Sequence, residues 1–248
     1  MLKTYREDLL LRTCTCDMQG RWRPSAILEA MQETAGTHAQ LLGCGRDRLL
    51  KDNIVWVISR AEILMHRYPL IGERVTVETF PMPGRHGFYP RYYRFTGLDG
   101  TELGCAGTLW VLLERAERHM VVSQAVASTL PDNADLVPPL PLPRTVPHPA
   151  GEERRMARMP AYTDLDVNGH VNNTRYADWL CDALGAALLS RRCLRRLHIN
   201  YAAEIRPEQE MELRLVESGD AFYFSGTHGG KQHFEAGGEF MDWTLSDS

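Results

Sequence analysis

The strongest constraint on how this chain can fold is that its sequence reads as one plan written twice. Seven of its 14 prolines fall between Pro131 and Pro149. Proline lacks a backbone donor and fixes φ, so this stretch can form neither a central strand nor a helix interior. It reads as an extended linker over 131–152, between a unit at 1–130 and another at 153–248. Displacing the first unit by 149 positions lays Asp17-Met-Gln-Gly20 on Asp166-Val-Asn-Gly169. The helices that follow fall in register. In the second unit the apolar stripe is Tyr176, Trp179, Leu180, Ala183, Leu184, Ala187 and Leu188, a nearly complete helical face. In the first, Ile27, Ala30, Met31, Thr34, Ala35 and His38 occupy the same offsets, with Pro24 suited to the helix start and Gly43 to its end.

Strand signals then repeat. Val55–Met65 and Leu197–Ile205 read as apolar strands with an embedded glutamate, and Arg74–Phe80 and Glu210–Val216 alternate. Two more strands follow in each unit, Phe88–Thr96 and Leu103–Leu113, then Ala221–Thr227 and His233–Trp243, with turns at Asp99-Gly100 and Gly229-Gly230. The class predicted is α+β: each unit a curved antiparallel sheet wrapped around its own long helix, the two sheets joined edge to edge.

Chemistry concentrates just ahead of the second helix, where Asp164, Asp166, Asn168, His170, Asn172 and Asn173 fall within ten residues. Carboxylate, amide and imidazole are the groups that bind a carbonyl and activate water beside it, and a helix start adds free N–H groups and a positive dipole end. The first unit has Asp17, Gln19 and Arg21 at the matching places and so lacks the imidazole. That leaves one candidate site per chain. Net charge of -4 gives no reason to expect nucleic acid as a partner. No apolar run approaches the roughly 20 residues needed to cross a bilayer. The first residues turn charged at once, unlike a signal peptide. Six cysteines without a Cys-x-x-Cys pair suit a reducing cytoplasm. Arg191, Arg192, Arg195 and Arg196 form a basic group, readable as helix-end complementation or as a docking patch for an acidic or phosphorylated partner; Arg154, Arg155 and Arg158 form a second.

Asp164-Leu-Asp-Val-Asn-Gly-His-Val-Asn-Asn-Thr-Arg-Tyr-Ala-Asp-Trp179 resembles the signature around the catalytic loop of the acyl-acyl carrier protein thioesterases, the tandem (double) hot-dog thioesterases. Met31-Gln-Glu-Thr-Ala-Gly-Thr-His-Ala39, Trp56-Val-Ile-Ser-Arg60 and Gly72-Glu73 support the match in the first unit, and the likeness covers nearly the whole chain. The resemblance implies hydrolysis of an acyl carrier protein thioester, with Asp166, Asn168, His170 and Glu204 as the catalytic group. Some plant members carry a Cys directly after that Glu, once proposed as nucleophile; here the position is Ile205, so a Cys-based mechanism drops out there.

The resemblance also implies that the first unit forms the acyl pocket, and it raises the arginines at 191–196 as a carrier-protein docking surface. Amides near Val171, Asn172 and Asn173 are the expected oxyanion donors. His38 reads as a core or pocket-wall histidine and His198 as a structural one. No cofactor or metal is expected, because a lone His with scattered carboxylates is not a zinc site. A homodimer is compatible with the reading. The alternatives are an acyl-CoA thioesterase or a non-hydrolytic, dehydratase-like protein of the same fold.

Overall fold

The structure, a computed structural model, describes residues 1–243. Among the described residues eleven strands form a single antiparallel sheet: β1 (Tyr5–Leu10), β2 (Ile54–Met65), β3 (Arg74–Pro81), β4 (Phe88–Gly97), β5 (Glu102–Glu114), β6 (Met120–Val121), β7 (Glu152–Arg158), β8 (Arg192–Tyr201), β9 (Met211–Ser218), β10 (Ala221–His228) and β11 (Lys231–Asp242). Their spatial order is β1-β3-β4-β5-β2-β8-β11-β10-β9-β7, with β6 a short addition to β5. The two units meet where β2 pairs with β8, in the register Arg60↔Asn200, Glu62↔His198 and Leu64↔Arg196. Edge-to-edge joining removes one exposed strand edge from each unit.

The helices are α1 (Pro24–Leu41), α2 (Arg46–Lys51), α3 (Gln124–Ala127), α4 (Arg175–Leu184) and α5 (Ala186–Leu189). The stripes read from periodicity are the buried faces: Ile27, Met31, Thr34, Ala35 and His38 on α1, and Tyr176, Trp179, Leu180, Ala183 and Leu184 on α4. The second helix is shorter than its stripe. Gly185 takes φ 84, a conformation that L side chains resist, and α4 stops there before α5 adds one turn.

Nor does each sheet wrap only its own helix. α1 packs against α4, Arg175 reaches Glu29 across them at 3.4 Å, and one hydrophobic core runs through both units from Trp22 and Met31 to Trp179 and Phe234. No helix among the described residues is long and apolar enough to cross a membrane.

The proline-rich segment is pinned rather than free. Lys3 pairs with Asp135 at 2.7 Å, and Arg94 and Arg60 donate to the carbonyls of Val137 and Pro143. Leu140 and Val146 are buried against the sheet. Its prolines lack donors but leave carbonyls open to such side chains.

Candidate active site

The polar loop and its twin in the first unit share a hydrogen-bond pattern. Asp166 N–H donates to the His170 carbonyl at 2.8 Å and Gly169 N–H to the Asp166 carbonyl at 3.0 Å. Asp17 N–H to Arg21 and Gly20 N–H to Asp17 repeat both distances. Each leading aspartate caps the turn, Oδ1 accepting from Asn168 N–H or from Gln19 N–H at 2.8 Å. Gly169 and Gly20 close the turns at φ 78 and 77, which only glycine adopts without strain. The side chain at the final position differs. Arg21 is buried, bonding Asp17 and the carbonyls of Leu189 and Arg192, and its guanidinium stacks on Trp243. The first loop is therefore a structural bolt between the units, while His170 in the second stays partly open.

His170 Nε2 lies 3.3 Å from Glu204 Oε2. Glu204 is not on the strand, as its spacing suggested. β8 ends at Tyr201, and Glu204 sits in the loop beyond it, its carbonyl bonded by His233 Nδ1 at 2.8 Å. The His233 carbonyl in turn accepts from the amides of Ala202 and Ala203, both at 2.9 Å. Val171 N–H donates to the Ile205 carbonyl at 2.9 Å, lacing the polar loop to the glutamate loop. His198, six residues earlier, is buried at the seam beside Glu62, 3.5 Å away. The glutamate of β2 is thus no counterpart of Glu204: Glu62 is buried mid-strand and held by Arg196 at 2.6 Å.

A second partner of Glu204 comes from the other unit. Arg118, in the turn between β5 and β6, forms an ion pair with Oε1 while His170 faces Oε2. Its φ of 58 is unusual for a side-chain-bearing residue. No local pattern marks Arg118 or His233 in the sequence, because both meet the site only through tertiary packing.

Burial pushes the His170 pKa down, and the cations Arg118 and Arg206 push it further, against Asp166 and Glu208. The imidazole is therefore largely neutral at pH 7. Replacing Arg118 by Ala removes one lowering charge and frees Glu204 to favour imidazolium, so the His170 pKa rises. The expected outcome is an acid limb of the pH–rate profile displaced to higher pH, by several tenths of a unit to about one unit. An unchanged limb would show that the ion pair leaves His170 untouched.

Two of the three expected oxyanion donors are already engaged. Val171 N–H bonds Ile205, and Asn172 N–H bonds the Asp164 carbonyl at 2.8 Å. The Asn172 side chain accepts from Thr174 N–H and Oγ1, both at 3.0 Å, and so fixes the turn that leads into the helix. Asn173 N–H has no acceptor among the described residues, and its side chain borders a small cavity between the units, about 10 Å³, with Met31, Tyr93, Thr108, Trp110 and Tyr201.

The four arginines at 191–196 do not make one patch. Arg196 is tied to buried Glu62, and Arg192 pairs with Asp220 at 2.5 Å; Arg191 and Arg195 are exposed. Alternation along β8 turns neighbours to opposite faces. One group outside the site could hold a cation: ligand atoms of His66, Glu102 and Cys105 lie within 4.8 Å of one another.

Two curved sheets fused at β2–β8 around two central helices, with a single polar loop at the second helix start, define a double hot-dog protein. The family models described as the acyl-ACP thioesterase N-terminal domain and C-terminal domain match residues 2–128 and 148–237. The chain belongs to the acyl-ACP thioesterase family.

A chloroplastic acyl-[acyl-carrier-protein] hydrolase of Cuphea viscosissima is 24% identical over 253 residues, 96% of this chain and 61% of the relative. A chloroplastic palmitoyl-acyl carrier protein thioesterase of Arabidopsis thaliana is 24% identical over 220 residues, 81% and 52% of the two chains. The chain thus spans between half and about three fifths of the length of these curated relatives. Among solved structures, an acyl-ACP thioesterase from Bacteroides thetaiotaomicron superposes with a TM-score of 0.87 at 23% identity, over 96% of this chain and 98% of that one. The 12:0-ACP thioesterase of Umbellularia californica gives 0.82 at 20% identity, over 97% and 98%. These likenesses establish the fold.

Proposed function

We propose that the protein hydrolyses the thioester of acyl-acyl carrier protein, releasing a free fatty acid and ending chain elongation. The observation that carries this reading is the His170 imidazole 3.3 Å from the Glu204 carboxylate, beside a helix start and a cavity between the units. In the reaction Glu204 takes a proton from water as the water oxygen bonds to the thioester carbon. The carbonyl oxygen becomes an oxyanion facing Asn173 N–H, a donor of a kind whose loss typically costs about 10²–10³ in rate. Collapse breaks the C–S bond, and the proton held by Glu204 passes through His170 to the departing sulfur. Asp166 orients Asn168 through two hydrogen bonds, 2.8 Å to its N–H and 3.1 Å to its side-chain amide. No step in this scheme calls on a metal or cofactor.

The first unit (1–130) supplies the wall of the acyl pocket along α1, where Met31 is flexible enough to make room for a chain. Each buried methylene contributes about 0.8 kcal/mol, so pocket depth grades chain length modestly. The exposed Arg191 and Arg195, the latter only loosely paired with exposed Glu239 at 4.0 Å, are the members of the basic group that can meet an acidic carrier protein. Six free thiols, three of them buried, suit a reducing compartment such as the cytoplasm.

The test is a side-by-side assay of acyl-carrier-protein and acyl-CoA thioesters of equal chain length. The carrier-protein substrate should show the higher kcat/KM, and the double variant Arg191→Glu, Arg195→Glu should raise its KM severalfold while sparing acyl-CoA. Equal effects on both substrates would remove the docking surface. A preference for acyl-CoA would replace the substrate.

A further inference from the structure

The cavity between the units is lined in a way that a plain hydrocarbon chain does not explain. Three polar side-chain atoms at its wall are buried and lack any hydrogen-bond partner among the described residues: Tyr93 Oη, Tyr201 Oη and Asn173 Oδ1. Buried polar groups are nearly always paired, and each exception calls for a ligand, a water or a functional reason. Tyr93, on β4 of the first unit, is fully buried. Thr108 and Trp110 stand beside it on the cavity wall and bond each other at 2.9 Å; with Thr79 they are the polar groups near the phenol, none of them in hydrogen-bond geometry with it. Tyr201 comes from the end of β8 in the second unit, and Asn173 from the start of α4. Gln32 adds a further amide from α1.

Position narrows what the missing partner is. Asn173 carries the amide at which the thioester carbonyl is placed in the reaction above, its side chain lines the cavity, and Tyr201 is three residues before Glu204. The cavity therefore adjoins the reacting carbon and is not the far end of the acyl pocket. At about 10 Å³ it has room for one oxygen-sized group rather than a run of methylenes. Two hydroxyls and an amide can both donate to and accept from such a group, once hydroxyl rotors and the amide orientation adjust.

We propose that this cavity is a subsite for an oxygen on the acyl chain near the thioester, so that 3-hydroxyacyl or 3-oxoacyl thioesters are the favoured substrate class. This rests on the thioesterase reading above. A saturated chain laid across the cavity leaves the two phenols and the amide unpaired, and a site built to hydrogen-bond a substrate oxygen discriminates strongly against the analogue lacking it. A 3-oxo group accepts from the phenols; a 3-hydroxyl also donates to the Asn173 amide oxygen.

The experiment compares saturated, 3-hydroxy- and 3-oxoacyl carrier protein substrates of one chain length, using the wild type, Tyr93→Phe and Tyr201→Phe. An oxygenated substrate should exceed the saturated one in kcat/KM by about tenfold or more. Each Phe variant should shrink that ratio severalfold, by losing rate on the oxygenated substrate and keeping or gaining it on the saturated one. Both variants keep ring volume and remove only an unpaired hydroxyl, and thermal unfolding checks that they remain folded. A wild-type ratio near one, or a ratio that neither variant changes, overturns the subsite and assigns the cavity to a water. In that case hydrolysis of the saturated substrate leaves the thioesterase reading standing. Absence of hydrolysis on all three substrates overturns both.

Discussion

Glu204→Gln is expected to lower kcat on acyl carrier protein thioesters by about 10²–10⁴-fold, the usual contribution of a positioned general base. His170→Ala should fall within the same range, roughly 3–5 kcal/mol of transition-state stabilisation. The double variant should be little worse than either single one, because residues that hand one proton along a chain fail as a unit. The side chains are 25% and 39% exposed, so neither replacement leaves a large cavity, and unfolding midpoints should move little. KM should also change little, since neither group holds the acyl chain.

Steady-state kinetics on purified variants, with fluorescence-monitored unfolding alongside, separates a chemical defect from a folding one. Two single variants within threefold of wild type would remove both residues from the mechanism. Turnover in ¹⁸O-labelled water adds a second reading: direct water attack leaves Glu204 unlabelled, whereas label in its carboxylate establishes a covalent anhydride.

The part of this site that sequence made visible is the part that is local. Asp166, Asn168, Gly169 and His170 form one turn whose bonds stay within five residues, and the twin at Asp17–Arg21 repeats it. The helical stripes were equally readable, because burial of one face imposes a 3.6-residue period. What failed to show depends on contacts between distant segments. Glu204 was identifiable as a residue but not as a loop residue, since an apolar run does not announce where its last ladder bond falls. Arg118 and His233 carry no signal at all: one reaches the site from the opposite unit, the other through a neighbouring strand. The amides of Val171 and Asn172 looked free because a helix start leaves donors open, yet the carbonyls of Ile205 and Asp164 had already claimed them. The arginines at 191–196 looked like a patch because adjacency in sequence conceals alternation across a strand.

Acid is expected to destabilise the fold through a histidine that takes no part in the chemistry. His38 on α1 is fully buried; its Nδ1 lies 3.2 Å from Arg91 Nη1 and its Nε2 3.1 Å from the Leu2 carbonyl. A guanidinium only donates, so Nδ1 must accept and Nε2 must carry the hydrogen. A proton added at Nδ1 would set an N–H against a buried cation. Burial, and then Arg91, accordingly lower the His38 pKa from 6.5 to about 4, only partly opposed by the bond to Leu2. Between those values the unfolded chain binds a proton that the folded one refuses, so stability rises with pH across the window and is lost as pH falls from 6.5 towards 4. The loss amounts to roughly 3 kcal/mol, a large share of a typical domain's stability.

At the β2–β8 seam the signs partly cancel. Burial, with Arg196, holds His198 down to about 4, whereas burial holds the Glu62 carboxyl up, and a raised carboxyl favours the fold as pH drops. His38 has no such opposing carboxyl and should carry a large share of the acid response. His38→Gln keeps one acceptor for Arg91 and one donor for Leu2 but cannot be protonated in this range. Urea unfolding at a series of pH values should show the wild-type free energy falling steeply between pH 6.5 and 4, with the variant's curve flatter by roughly 3 kcal/mol over the same span. Parallel curves would mean that His38 is protonated as easily in the folded protein as in the unfolded chain.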